Sequence, residues 1–245
     1  MRENCHFLSG NALKFIAAAA MVIDHVGVIL FPSVLFLRII GRLAFPVFAF
    51  MIAEGCRYTR NKVRYFFTLF GVGALCQSVL FFYNGSLEMN ILLTFSLSVL
   101  LIYAMQYFKE QLFLPQCDFL KLWGALVLFA LLLFGVILLG FYVDLDYGAT
   151  GAMVAMYAAL LHPPKRSADT WLHRIDKPFW HVLVMGLGLL VLALDDGGIQ
   201  YFSLFSIPLL LLYSGKRGRW KTKYFFYIFY PAHLLLLQGI AWLLF

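Results

Sequence analysis

Asp24 and His25 stand side by side in residues 13–32, a stretch that is apolar apart from them and Lys14. An acid or an imidazole at membrane depth costs several kcal/mol unless it is partnered, so the pair asks for a chemical purpose. Imidazole takes up a proton near neutral pH and is the most frequent general base. A carboxylate nearby can orient it or support the site electrostatically. Lys14 precedes His25 by eleven residues, close to three helical turns, so the two share a face with a rise of roughly 16 Å between them. Ala18 lies between them on that face with Met21 or Val22. Its small side chain leaves space for a slender ligand running from Lys14 at one mouth to His25. The plainer alternative is that Lys14 snorkels to the interface and His25 hydrogen-bonds a neighbouring helix. Asp24 tips the balance towards chemistry, because a second ionisable group at the same depth needs a partner of its own.

Arg38 and Arg42 are candidate partners, spaced i, i+4 on one face of the second apolar stretch. Arg42 falls about a turn inside the membrane, where it can hold Asp24 or stabilise an oxyanion. Pro46, about a turn further in, predicts a kink. Gln77, Asn90, Thr94 and Asp146 with Tyr147 fall at the same level. Each alone reads as a cap, a turn former or an interhelical hydrogen bond; together they predict an outward-facing polar pocket. His233, soon after Pro231 in the last apolar stretch, is a second histidine candidate near the midplane. Glu54 is assigned to the inner end of the second span, as a structural residue or part of an inner vestibule.

These residues need a membrane scaffold to position them. The 245 residues are 63% hydrophobic and 13% charged, with a mean hydropathy of +0.86, which excludes a soluble domain and predicts an all-α polytopic bundle. A helix needs roughly 17–25 residues to cross the hydrocarbon layer. On that ruler about nine spans are expected, near 12–31, 39–56, 65–82, 91–108, 122–143, 148–162, 179–195, 199–213 and 224–245. Those at 148–162 and 199–213 are short, so either is tilted, re-entrant or extended by its flanks. Short loops leave room for a single membrane domain, 1–245. "RYTRNKVR", "HPPKRSADTWLHRIDKP" and "SGKRGRWKTK" are basic, whereas "YNGSLEMN", "DLDYG" and "DDGGIQ" have no Lys or Arg. This alternation places the N-terminus in the cytosol and the C-terminus outside, with Arg38 and Arg42 the only residues that break it.

The net charge of +7 is dispersed over several loops, which fits membrane orientation and argues against nucleic acid. Cys5, Cys56, Cys76 and Cys117 form no close-spaced set, so neither a metal site nor a disulfide framework is expected. There is no His-Glu-x-x-His motif and no Gly-x-Ser-x-Gly elbow.

"LKFIAAAAMVIDHVG", "RIIGRLAFPVFAF", "EGCRYT", "NILLTFSLS", "DYGATG" and "YPAHLLLL" together resemble the TraX family of integral-membrane proteins, over about residues 8–240. The resemblance implies a link to membrane acyltransferases of the acyltransferase 3 and heparan-α-glucosaminide N-acetyltransferase type, in which cytosolic acetyl-CoA or another acyl-CoA modifies an acceptor across the cytoplasmic (inner) membrane. It implies His25 as catalytic residue; the spacing read above then gives Asp24 and Arg42 as its supporting catalytic residues and Lys14 and Ala18 as the path of the donor, with no metal expected. Arg38, Gln77, Asn90, Asp146, Tyr147 and His233 then face the acceptor, an amine or hydroxyl of a peptide N-terminus, glycan or small molecule. A proton-coupled transporter and a non-catalytic assembly protein stand as alternatives; no inverted repeat or matched pair of broken helices is visible to favour a carrier.

Overall fold

The computed structural model describes residues 7–85, 88–116, 118–165, 170–219 and 223–244; Cys5 and Cys117 lie outside them. Every regular element among these residues is helical: α1 Gly10–Ile29, α2 Leu35–Gly41, α3 Ala44–Tyr58, α4 Lys62–Asn84, α5 Ile91–Leu112, α6 Phe119–Tyr142, α7 Gly148–Ala159, α8 Trp171–Arg174, α9 Pro178–Asp196, a 3₁₀ segment Gly198–Phe205, α10 Ser206–Leu211 and α11 Lys223–Leu244. All nine apolar stretches are helical. Among the described residues, seven helices are long and apolar enough to cross a membrane, with α2 and α3 counted as one. The stretches at 148–162 and 199–213 form shorter helices, as their length requires.

The second span is interrupted at Arg42–Leu43, one turn before Pro46. Proline has no N–H to offer the carbonyl four residues earlier, which here belongs to Arg42, so the break falls where the missing donor would have bonded. α11 continues through Pro231 without interruption.

The helices gather into two compact units, Met1–Met51 with Ala193–Phe245, and Ile52–Leu192. In the first, α1 and α2 pack closely, and residues 212–217 pair with the residues that open α1. Leu8 N–H donates to the Leu212 carbonyl at 3.0 Å, and Gly10 and Asn11 N–H donate to the carbonyls of Lys216 and Arg217 at 2.8 and 3.0 Å. α11 lies parallel to α1, with Lys14 over the Phe226 ring near one end and His25 against His233 further along.

In the second unit, residues 146–162 accompany α5. Thr94 Oγ1 donates to the Asp146 carbonyl at 3.1 Å, Ser98 Oγ to Ala152 O at 2.7 Å and Gln106 Nε2 to Ala159 O at 3.4 Å. Lys109 completes the series: its buried Nζ donates to Leu160 O and His162 O, both at 2.8 Å. An ammonium on the carbonyls at and just past the C-terminus of α7 satisfies acceptors that the chain leaves open there and complements the helix dipole. Replacing Lys109 with methionine leaves those carbonyls buried and unmatched, an expected loss of about 2–3 kcal/mol. A thermal melt of the purified protein checks this; an unchanged midpoint rejects the capping role.

Candidate functional site

Two glycines bring α1 and α2 into contact in the first unit. A Cβ at Gly41 would lie 2.1 Å from Oδ1 of Asp24, and one at Gly27 would lie 2.9 Å from Cβ of Leu37. The Asp24 carboxylate therefore fits only because position 41 has no side chain. It is buried and held from α2. Nη2 of Arg42 donates to Oδ1 at 3.1 Å and to Oδ2 at 3.0 Å, and Nη1 of Arg38 donates to Oδ2 at 3.4 Å. The i, i+4 spacing expected of the two arginines thus converges on one carboxylate. Nη1 of Arg42 donates in addition to Oε1 of Gln200 at 3.2 Å, which fixes the Gln200 amide with Nε2 on its other side. That Nε2 is buried and has no hydrogen-bond partner among the described residues.

His25 faces a different direction, since successive helical residues are about 100° apart. Its Nδ1 lies 2.9 Å from Nε2 of His233, and the two ring centroids are 4.9 Å apart. Nδ1 of His233 lies 2.8 Å from the carbonyl oxygen of Phe229, one turn back. A carbonyl only accepts, so Nδ1 of His233 carries the proton. In the neutral ring its Nε2 is then an acceptor. Nδ1 of His25 must donate to it, which leaves the lone pair of His25 on Nε2. A backbone carbonyl thus sets the tautomer of both rings and turns His25 Nε2 into a basic nitrogen. The Phe229 ring stacks on His233 with centroids 5.1 Å apart and holds it in plane.

The other expected residues are placed as follows. Ala18 is buried, and Lys14 is partly buried with Nζ 5.9 Å from the Phe226 ring centroid. Gln77, Asn90, Asp146 and Tyr147 belong to the second unit. There Gln77 Oε1 accepts from Asn90 N and Nδ2 at 3.0 and 3.2 Å, Asn90 Nδ2 donates to Gly73 O at 2.8 Å, and Asn90 Oδ1 caps α5 through Leu92 N. Tyr147 precedes α7 with φ 62°, the only non-glycine in the left-handed region among the described residues, a conformation that a bulky side chain seldom adopts.

A second polar cluster sits at the opposite end of the second unit. Nη1 of Arg57 donates to Oδ1 of Asp176 at 2.7 Å, Nη2 pairs with Oδ2, and Nε2 of His181 lies 2.9 Å from Oδ1. His162 stacks edge-on against His181 at 4.6 Å between centroids and reaches Glu54 Oε1 at 3.5 Å. Glu54 therefore meets His162. Burial alone would raise the Asp176 carboxyl, but the hydrogen bonds and charge of His181 and Arg57 prevail and hold it well below the usual carboxylate range. A carboxyl depressed in the folded state stabilises above its unfolded pKa, and the gain disappears as pH falls through the folded value. The melting-point advantage of the native protein over Asp176→Asn is accordingly expected to be full at neutral pH. It should shrink as pH drops below about 4, which melts recorded between pH 7 and pH 2.5 test.

Gln200, His162, His181 and Asp176 were not singled out in the sequence. Gln200 closes a loop without positive charge and reads as a turn residue. It also falls at the start of the short apolar stretch 199–213, the one cue that it belongs to a helix.

Several long apolar helices and a buried Asp–Arg cluster beside a histidine pair define a multi-pass membrane protein with a polar site in its first unit. The chain belongs to the TraX family, whose model, described as TraX protein, matches residues 9–241. It is 27% identical over a 273-residue alignment to the probable fimbrial assembly protein FimC, serogroup H1, of Dichelobacter nodosus, covering 97% of each chain. It is also 35% identical over 102 residues to the uncharacterized protein RP591 of Rickettsia prowazekii (strain Madrid E), covering 42% of this chain and 38% of that protein's length. No solved structure matches.

Proposed function

We propose that this protein is an acyl-CoA-dependent acyltransferase of the cytoplasmic (inner) membrane, acetylating an amine or hydroxyl on the outer side. The observation that carries this reading is the relay from the Phe229 carbonyl through His233 to His25, which fixes a lone pair on His25 Nε2. In this reading that nitrogen takes the proton of the acceptor nucleophile as it attacks the thioester carbonyl. The C–N or C–O bond forms, the C–S bond breaks, and the departing thiolate receives the proton back from His25. His233 spreads the transient charge over a second ring. Arg42 holds Asp24 and, with the unengaged Gln200 Nε2, supplies donors near the developing oxyanion. Lys14 and Ala18 line the path of the pantetheine arm. Arg38 is on the acceptor side, while Gln77, Asn90, Asp146 and Tyr147 act by fixing the outer ends of their helices.

The reading includes nine crossings, with the N-terminus in the cytosol. Residues 146–162 keep company with α5 from Thr94 to Lys109, and residues 200–214 with α1 from the level of Asp24 to Leu8. If their long companions cross, these segments traverse the same depth.

The name of the Dichelobacter nodosus relative, a probable fimbrial assembly protein, agrees with a pilus or fimbrial subunit's N-terminus as one acceptor. It also favours a second reading, a non-catalytic assembly protein in which the polar residues only lock helices together. Purified protein supplied with radiolabelled acetyl-CoA and a peptide acceptor separates the two: label transfer, or slow release of acetate, is expected of the enzyme and neither is expected of a scaffold.

A further inference from the structure

The second unit has a cavity of about 500 Å³ where the α3–α4 turn, the end of α5 and the loop after α7 meet. Tyr58, Arg60, Lys62, Tyr107, Glu110 and Lys165 line it. Among the described residues, three cations against one carboxylate give it a net positive charge, and two tyrosines add flat faces. Its size lies within the roughly 300–1,000 Å³ of small-molecule sites. Nζ of Lys62 rests 5.3 Å from the Tyr103 ring centroid, a cation–π contact that steadies one of the cations. Arg60 and Lys165 are exposed and free to close on a ligand. The cavity shares its end of the unit with Lys109 and His162, and with the basic turn "RYTRNKVR".

We propose that this cavity binds the phosphate groups of a water-soluble nucleotide, with Arg60, Lys62 and Lys165 on the phosphates and Tyr58 or Tyr107 against the base. Arginine and lysine together suit a polyanion: the guanidinium fork takes two oxygens and the ammonium acts as a point charge. Aromatic faces accept any base by stacking. An anionic lipid headgroup offers the same phosphate, but lipid tails need an apolar groove, and Leu114 is the one aliphatic hydrocarbon side chain in the lining among the described residues. The inference rests on the acyl-CoA reading in one respect: the 3′-phosphorylated adenosine diphosphate of coenzyme A is a ligand of this class, and the basic loops put the cavity on the donor's side of the membrane.

The test uses the full chain in nanodiscs of neutral phosphatidylcholine, titrated with adenosine 3′,5′-bisphosphate and with coenzyme A by microscale thermophoresis. Saturable binding is expected, weakened at least tenfold by each of Arg60→Glu, Lys62→Glu and Lys165→Glu and weakened by added salt. His25→Gln is expected to bind like the native protein. Nucleotide affinity that is unchanged in all three charge reversals overturns the proposal, as does the absence of binding at millimolar concentration in a protein whose melting point is native. Co-purification of phosphatidylglycerol that depends on these three residues, without nucleotide binding, also overturns it in favour of a lipid site. Failure of the enzyme reading looks different: nucleotide binds and the reversals weaken it, yet no acetyl group is ever transferred. Conversely, acyl transfer with an unchanged KM for acetyl-CoA in the three variants removes the cavity from the donor's path and leaves the catalytic reading standing.

Discussion

His25→Gln is expected to lower acyl transfer by about 10²–10⁴-fold, the usual contribution of a positioned general base, with little change in melting point. Glutamine keeps a polar group for His233 to meet but has no ring nitrogen with a lone pair to take up a proton. Its amide can donate to His233 Nε2, so the 2.9 Å hydrogen bond of the native pair has a substitute. The companion change His233→Ala separates catalysis from positioning. It removes the acceptor of the His25 Nδ1 proton, so the tautomer is no longer set from the Phe229 carbonyl. Activity is expected to fall about tenfold or more through kcat, with KM for acetyl-CoA unchanged and a shifted pH profile, whereas a merely structural loss would lower the amount of folded enzyme without moving the profile. Full activity in folded His25→Gln refutes the base assignment.

How much of this arrangement could be read from the chain depends on whether the partners are close in sequence. Apolar length marked out the nine helical stretches, most plainly the seven long enough to cross a membrane, because a long run with so few charges has few other uses. Arg38 and Arg42 were legible as one face because i, i+4 geometry is local, and their target, Asp24, was the nearest uncompensated acid. The link between His25 and His233 spans 208 residues, and no local rule foretells which two helices run side by side. The same holds for Gln200, 158 residues from Arg42. Asp176 read as one more residue of a polar loop, and only the fold brings Arg57 and His181 to it. Glycine was ambiguous too. Gly41 sits in "RIIGRLAFP" as an unremarkable small residue, and its function, making room for a carboxylate, exists only once α1 lies against α2.

Asp24→Ala is expected to be the most damaging single change to the fold of the first unit, at about 3–5 kcal/mol, the range found when one partner of a buried ion pair is removed. The loss falls on Arg42 rather than Arg38. The Arg42 side chain is 11% exposed and the Arg38 side chain 28%, so Arg38 can turn to water or headgroups while Arg42 keeps its charge indoors. Gln200 Oε1 accepts from Nη1 of Arg42 but brings no negative charge. Two further variants make the argument specific. Asp24→Asn retains the shape that Gly41 accommodates and one hydrogen-bond acceptor, so its loss should be smaller. The double variant Asp24→Ala with Arg42→Met removes both charges, and it should recover much of the single variant's loss because no unmatched ion is left behind. Melting midpoints in one detergent provide the comparison. If the double variant is as unstable as the sum of the two single changes, the aspartate and the arginine are not stabilising one another, and the Asp24–Arg42 pair is not what holds α1 against α2.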